Sequence, residues 1–412
     1  VDAINGWGAL QLARSDHWAQ GELSMASSQW THSLSPSSWN NFEACPRKFW
    51  LSRQRLPRKA GMAASLGTAV HDSVEDLCNL DLEGRDDDEL NWLPTTAKSI
   101  LTRQWEDERE KFFNTPRHPK WKEEDFEGAQ KQLIGALNIL FKKAGFKQVS
   151  LSSVTVAQWK DIQEMVLAAE GTLRSSCGRL MGRLDLLIAD RDEEGNTVGW
   201  IVADLKTGKP PDGEVYDTVS RQLRLYRDLL IANNPNHPKI TAEGWYSKNS
   251  SVYVAEGPNV IDDAMAAWEA TQLTPEPFDA TPSNEACGFC EWKAWCPSWP
   301  VARARGEMEP YGTFRDYVVK IVNLDDDCSV GLIEIMGPEG ENGKMGSTGQ
   351  RHGVVFAGYA LENIQKLNDL APDYENEFFF FGSVNVGSKT WKMGDWCDVL
   401  PWSPLLRSTR DF

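Results

Sequence analysis

The sequence predicts an α/β chain: a mixed sheet flanked by helices, with a small β-rich region at its C-terminal end. Three observations carry this. Apolar residues recur at helical spacing from about 36 to 145, short strand-type apolar runs dominate from about 149 to 206, and from about Met308 the chain turns to short β-type runs rich in glycine. Its 412 residues provide enough material for two or three domains with real cores.

Residues 1–33 are polar and lack clear periodicity, and read as a peripheral, poorly ordered leader. Ser35 and Pro36 mark a helix start, a side-chain cap followed by a proline in the first turn, and that helix runs through Trp39, Phe42 and Phe49. A second helix begins near Gly67 and carries Val70, His71, Val74 and Leu77. An acidic loop, 81–89, separates it from a long helical stretch at about 92–145. After the strand region come an amphipathic helix at about 214–233, a strand near 243–254, a helix at about 259–273 and a cysteine-rich segment ending near 300. The expected domains are therefore 34–306 and a β-rich accessory domain over 307–412; from Met308 on the chain carries 16 acidic against 9 basic residues.

Composition narrows the function. Hydrophobic residues make up 41% and charged residues 25%, an ordinary globular profile, and no apolar run is long enough to span a membrane. The first residues have neither a basic nor an apolar signal-like stretch, so a cytoplasmic chain with reduced cysteines is expected. A net charge of −17 argues against nonspecific coating of nucleic acid but not against a local basic groove. One acid-free tract, 46–59, holds Arg47, Lys48, Arg53, Arg55, Arg58 and Lys59 around Phe49 and Trp50, a mixture suited to phosphates and stacked bases. A solvated helix face is the plainer reading.

The chemistry concentrates in two strings, Gly-Arg-Leu-Asp-Leu-Leu-Ile ending at Ile188 and Ile-Val-Ala-Asp-Leu-Lys-Thr-Gly ending at Gly208. Each sets one aspartate, Asp185 or Asp204, inside an apolar run, and the polar stretch 190–196 between them reads as a hairpin loop. Strand alternation points Asp204 and Lys206 the same way and Leu205 to the core. Two carboxylates and an ammonium on one face are minimal equipment for holding a divalent cation against a phosphodiester. A buried Asp–Lys ion pair is the competing reading. His71 with Glu75 one turn later, Glu170 at the close of a helix-like stretch, and the pair Gln222 and Tyr226 near Arg221 and Arg224 are ambiguous singly.

Cysteines give a separate signal. Cys287, Cys290 and Cys296 form C-x2-C-x5-C followed by Pro297, and Cys45 precedes Pro46 far upstream. Four thiolates suffice for zinc or an iron–sulfur cluster, and spacing alone does not choose. Cys78, Cys177, Cys328 and Cys397 read as packing residues.

Taken together, Ser-Pro-Ser with Cys45-Pro46, Gly67-Thr-Ala-Val-His71, Gly182-Arg-Leu-Asp185, Asp204-Leu-Lys206-Thr-Gly208, Gln222-x3-Tyr226 and the cysteine trio resemble the PD-(D/E)XK nuclease superfamily. Within it they resemble the RecB-like iron–sulfur exonucleases, the branch that includes the CRISPR-associated spacer-processing exonucleases. The resemblance covers about 34–300. It implies a restriction-endonuclease-like core, with Mg²⁺ or Mn²⁺ held by His71, Asp185, Asp204 and the Leu205 carbonyl. Lys206 would act on the attacking water and Glu170 would assist. Gln222 and Tyr226 would contact DNA, and a [4Fe–4S] cluster on Cys45, Cys287, Cys290 and Cys296 would clamp the basic tract with Arg53, Arg55, Arg58 and Lys59 beside the site. The implied activity is a metal-dependent exonuclease on single-stranded DNA or DNA ends, in DNA repair, recombination, phage DNA processing or CRISPR adaptation. The resemblance does not reach the C-terminal domain, for which a protein partner is a separate expectation. Two other classes compete: a DNA-binding or scaffold module with a decayed nuclease core, and a zinc-stabilised interaction protein.

Overall fold

The computed structural model describes residues 32–146, 150–309, 312–370 and 377–410. All but the last two residues of the expected leader lie outside the described residues. Helices α1 (Pro36–Ala44), α2 (Pro46–Ser52), α3 (Met62–Cys78), α4 (Trp92–Asn114), α5 (Asp125–Lys143) and α6 (Val156–Met165) precede strands β1 (Val166–Arg174), β2 (Met181–Arg191) and β3 (Thr197–Lys206). Next come α7 (Asp217–Asn233), β4 (Lys239–Tyr246), β5 (Ser251–Val254), α8 (Ile261–Ala270), α9 (Asn284–Gly288) and α10 (Ser298–Ala304). The remainder holds β6 (Phe314–Leu324), β7 (Val330–Pro338), β8 (Met345–Phe356), α11 (Gly358–Leu370), β9 (Phe378–Asn385), β10 (Trp391–Met393) and β11 (Asp398–Pro401).

Ser35 caps α1 as expected, its Oγ accepting from Ser38 N at 3.3 Å. The helix does not continue to Phe49. Cys45 precedes Pro46 and is extended (φ −167°, ψ 112°), as the proline ring demands of its neighbour, so two helices meet there. Prolines 116 and 119 likewise fall between α4 and α5, dividing the long stretch. The region from 149 opens with α6 rather than a strand, because Thr155 and Gln158 form a capping box. Glu170, expected at a helix end, lies inside β1 with φ +54°.

The chain divides into two compact units. The first comprises residues 32–40, Gly61–Asn114 and Lys122–Gln272. Its sheet has the order β1-β2-β3-β4-β5, antiparallel except for the parallel β3–β4 pair, whose crossover is α7. Leu184, Leu187, Trp200 and Val202 from the sheet bury against Leu225, Leu229 and Leu230 of α7 and Ala264 of α8. α3 packs on α4, α5 and β1, and α5 on β4. The predicted hairpin is present, with Asp192 Oδ1 accepting from Glu194 N and Asn196 N, and Gly195 at φ +84°.

The second unit comprises Asn41–Ala60, Thr115–Trp121 and the described residues from Leu273 to 410. This differs from a boundary at 306. The basic tract and the cysteine segment belong with the C-terminal strands because Trp50, Leu51, Trp292, Trp295 and Trp299 share one apolar core with Val318, Met336, Phe380 and Trp402. The strands run β10-β8-β7-β6-β9-β11, and β10 also pairs with β9, so β6–β10 close into a barrel. Its interior holds Val319, Ile321, Ile333, Val354, Phe379, Phe381 and Trp391, with Ala360 and Ile364 of α11 added.

α5 approaches the β4–β5 turn at backbone contact: a Cβ on Gly135 would lie 1.8 Å from the Ser247 carbonyl oxygen, whereas one on Gly128 would meet only Leu66 at 3.7 Å. Gly135→Ala should therefore destabilise the chain by about 1–3 kcal/mol through overpacking. Gly128→Ala, in the same helix, should be neutral or stabilising by up to about 1 kcal/mol. Urea-unfolding midpoints of the two variants check this contrast.

Candidate active site

The sheet register assembles the site. Ala169 pairs with Leu186 and Gly171 with Leu184, which puts Glu170 opposite Asp185. Leu186 pairs with Ala203, so one step on Asp185 stands opposite Asp204. Three carboxylates thus form a row across three neighbouring strands. α3 adds His71, Asp72 and Glu75, adjacent positions and one turn of a single helix face.

Each carboxylate is held differently. Asp185 Oδ2 accepts from the Leu205 backbone N–H at 2.6 Å, and Asp185 Oδ1 lies 3.4 Å from His71 Nδ1. Asp204 is 2% exposed; Lys206 Nζ approaches its Oδ2 to 2.5 Å and Gln222 Nε2 donates to its Oδ1 at 2.8 Å. Gln222 Oε1 accepts from Lys206 Nζ at 3.0 Å, and Gln222 Nε2 also reaches the Tyr226 hydroxyl at 2.9 Å. Glu170 pairs with Arg183. Even so, the buried Asp204 Oδ2 and Glu170 Oε2 have ionic neighbours but no aligned hydrogen bond.

The electrostatics record crowding. Burial pushes Asp204 up to about 6, with Asp185 adding to the rise against the pull of Lys206. Burial likewise raises Glu170 to about 7, against Arg183 and with Asp185, Glu75 and Asp72 adding to it. Asp72 and Glu75 are raised by burial too. Burial pulls His71 down, but the charge and hydrogen bond of Asp185, with Asp204 behind, outweigh it and raise the imidazole.

These residues fit a cation. Donor atoms of His71, Glu170 and Asp185 all lie within 4.8 Å of one another, as do those of Asp72, Glu75 and Glu170. Hard carboxylate oxygens with one imidazole suit a hard divalent ion. Asp204, expected among the ligands, lies next to this group and is engaged by Lys206 and Gln222, while Glu170 joins His71 and Asp185 in the tight trio. Sequence reading missed Asp72; its only signal is its place beside His71.

A family model for the PD-(D/E)XK nuclease superfamily matches residues 33–297. The chain belongs to that superfamily. None of the curated proteins compared with the chain matches it. Membership makes this a nuclease, a hydrolase whose relatives use divalent metals and whose substrate is DNA. The mixed sheet with its flanking helices agrees with a restriction-endonuclease-like fold, and no described helix is long and apolar enough to cross a membrane.

The nuclease's other expected residues divide. Tyr226 is 4% exposed, and its ring covers Gly182, where a Cβ would lie 2.5 Å from it. It stands behind Gln222 and has almost no surface to offer a strand. Arg221 stacks over Trp39 and donates to Asn40. In the second unit part of the basic tract is engaged within the unit. Lys59 pairs with Asp398 at 2.6 Å and Arg53 lies over Phe49, both half-buried, while Arg55 and Arg58 are exposed, Arg58 lying over Trp292 and donating to the Ser52 carbonyl. The interleaved aromatics that suggested base stacking are where these stems pack. Cys45, Cys287, Cys290 and Cys296 line one small cavity with Arg47, Lys48 and Lys293. Burial raises the Cys287 and Cys296 thiols and pushes Cys290 up to about 12.

Gln222→Ala should lower kcat for metal-dependent DNA cleavage by about 10- to 100-fold, the usual effect of losing an outer hydrogen-bond partner, with KM nearly unchanged. Tyr226→Phe should shift kcat in the same direction by less. Steady-state kinetics separate this from a strand-contact role, in which KM would rise and kcat hold.

Proposed function

We propose that the chain is a Mg²⁺- or Mn²⁺-dependent deoxyribonuclease acting exonucleolytically on single-stranded DNA or DNA ends. The observation that carries the reading is the carboxylate row Glu170, Asp185 and Asp204 with Lys206 at its end and His71 above it. His71, Asp185 and Glu170 would hold the cation, with Asp204 and the Leu205 carbonyl completing an oxygen-rich set. When bound, the ion neutralises phosphate charge and lowers the pKa of an attacking water. Lys206, steadied by Gln222, presents its ammonium beside the developing negative charge and orients that water. Gln222 keeps Asp204 and Lys206 together, and the Leu205 N–H fixes the rotamer of Asp185.

The exonuclease assignment rests on the motif order combined with the cysteine set. We read the four thiols as ligands of a [4Fe–4S] cluster. Arg47, Lys48 and Lys293 on the cavity wall suit the negative charge of a thiolate-bound cluster. The cavity holds about 20 Å³, so cluster insertion would spread the sulfurs further, coupling assembly to folding of this segment.

Asp204→Ala and Lys206→Ala should each reduce Mn²⁺-dependent degradation of end-labelled single-stranded DNA by at least about 100-fold while leaving the circular dichroism spectrum unchanged. Undiminished cleavage by either variant refutes the assignment. Protein purified without oxygen should be brown and carry about four irons per chain; one zinc and no iron by elemental analysis would replace the cluster with a zinc site and leave the nuclease reading intact.

A further inference from the structure

In the second unit, the barrel topology and one cavity point to a second place for DNA. The strands close in the order β6-β7-β8-β10-β9 and back to β6, with β8 and β10 parallel and α11 between the third and fourth strands of the set. A closed five-stranded barrel of this kind is the architecture of oligonucleotide-binding folds. Architecture alone does not assign a function; the cavity supplies the chemistry.

The cavity, about 330 Å³, lies among the Cys287–Cys290 loop, α10 and the first residues of β6. That volume falls at the lower end of the range for ligand sites. Two aromatic rings line it in unusual exposure, Phe289 at 96% and Phe314 at 61%. Apolar rings left in water cost free energy that a stacked partner recovers. Three cations line it as well. Lys293 is neutralised by Asp316 at 2.5 Å, whose second oxygen accepts from Ser383 N at 2.9 Å. Arg303 donates to the Asp316 backbone carbonyl and its guanidinium carbon lies over the Tyr317 ring, 4.9 Å from its centroid. Arg315 has no ion pair and no side-chain hydrogen bond among the described residues, and its Nε is buried without a partner. The one remaining acid on the wall is Glu309. In a chain of net charge −17, two guanidiniums without a carboxylate partner beside two bare rings form a local site for an anion that carries a flat face.

We propose that this cavity binds a nucleotide unit of single-stranded DNA, the base against Phe289 and Phe314 and the phosphate on Arg315 and Arg303. The proposal deepens the nuclease reading, and rests on it for DNA as the substrate: the second unit would be a strand-holding module, distinct from the carboxylate site that cuts.

The test uses the full chain in a Lys206→Ala background without metal, with a fluorescent oligothymidylate of about 16 nucleotides, the upper site size of one such barrel. Phe289→Ala and Phe314→Ala should each weaken binding about tenfold. Arg315→Gln should weaken it and flatten the log–log salt dependence by about 0.7, and Arg315→Lys should restore the slope. Cross-linking of a 5-iodouracil strand should label peptides containing Phe289 or Phe314. The exposed rings can be removed without disturbing packing, and matched melting curves verify this. Unchanged affinity in all three variants, or cross-links confined elsewhere, overturns the cavity assignment. So does equal binding of thymidine monophosphate, which needs no strand. Metal-dependent cleavage by the parent chain, run alongside, keeps the two readings apart: its loss defeats the nuclease reading, and its persistence with silent cavity variants defeats only this one.

Discussion

Glu170, Asp185 and Asp204 stand side by side on three neighbouring strands, and like charges at cross-strand distance repel. Much of what surrounds them offsets that repulsion. Arg183 answers Glu170, the Leu205 N–H and His71 answer Asp185, and Lys206 with Gln222 answers Asp204. With Asp72 and Glu75 nearby the balance remains acidic; burial raises the Glu170 and Asp204 carboxyls, and the neighbouring carboxylates add to the rise. A divalent cation placed among these carboxylates would relieve such crowding most directly.

The hydrogen bonds linking Lys206, Gln222, Asp204 and Tyr226 have a second consequence. A lysine beside a buried aspartate tends to collapse onto it, and here it does, at 2.5 Å. Gln222 holds both partners at once, so Lys206 has an alternative acceptor if Asp204 turns to a cation. Tyr226, packed on Gly182, keeps the amide from swinging away.

In the second unit the organising force is apolar burial. Five tryptophans from α2, the cysteine segment, α10 and the chain end, Trp50, Trp292, Trp295, Trp299 and Trp402, join one core with barrel residues, and the basic tract packs its stems around that core. This explains why Arg53 and Lys59, solvent-facing by composition, are engaged inside the unit. It also leaves Phe289, Phe314 and Arg315, which sequence reading passed over, as the groups facing outward with little to satisfy them.

The sequence by itself determined the hairpin, the Asp185, Asp204 and Lys206 constellation, the cap at Ser35 and the C-x2-C-x5-C segment, because these are local: strand alternation, turn chemistry and short spacings need no distant partner. It did not determine that Glu170 lies in β1 opposite Asp185, since a carboxylate in a strand at positive φ follows no propensity and arises only from pairing. Nor did it determine the company of the basic tract or the closure of the C-terminal barrel. The first rests on contacts between residues hundreds of positions apart, such as Lys59 with Asp398, and the second on strand pairings such as Phe314 with Asn385 that no local pattern records. Period and composition carry no record of which distant surfaces bury one another; only the folded chain, minimising exposed apolar area and unpaired charge together, decides that.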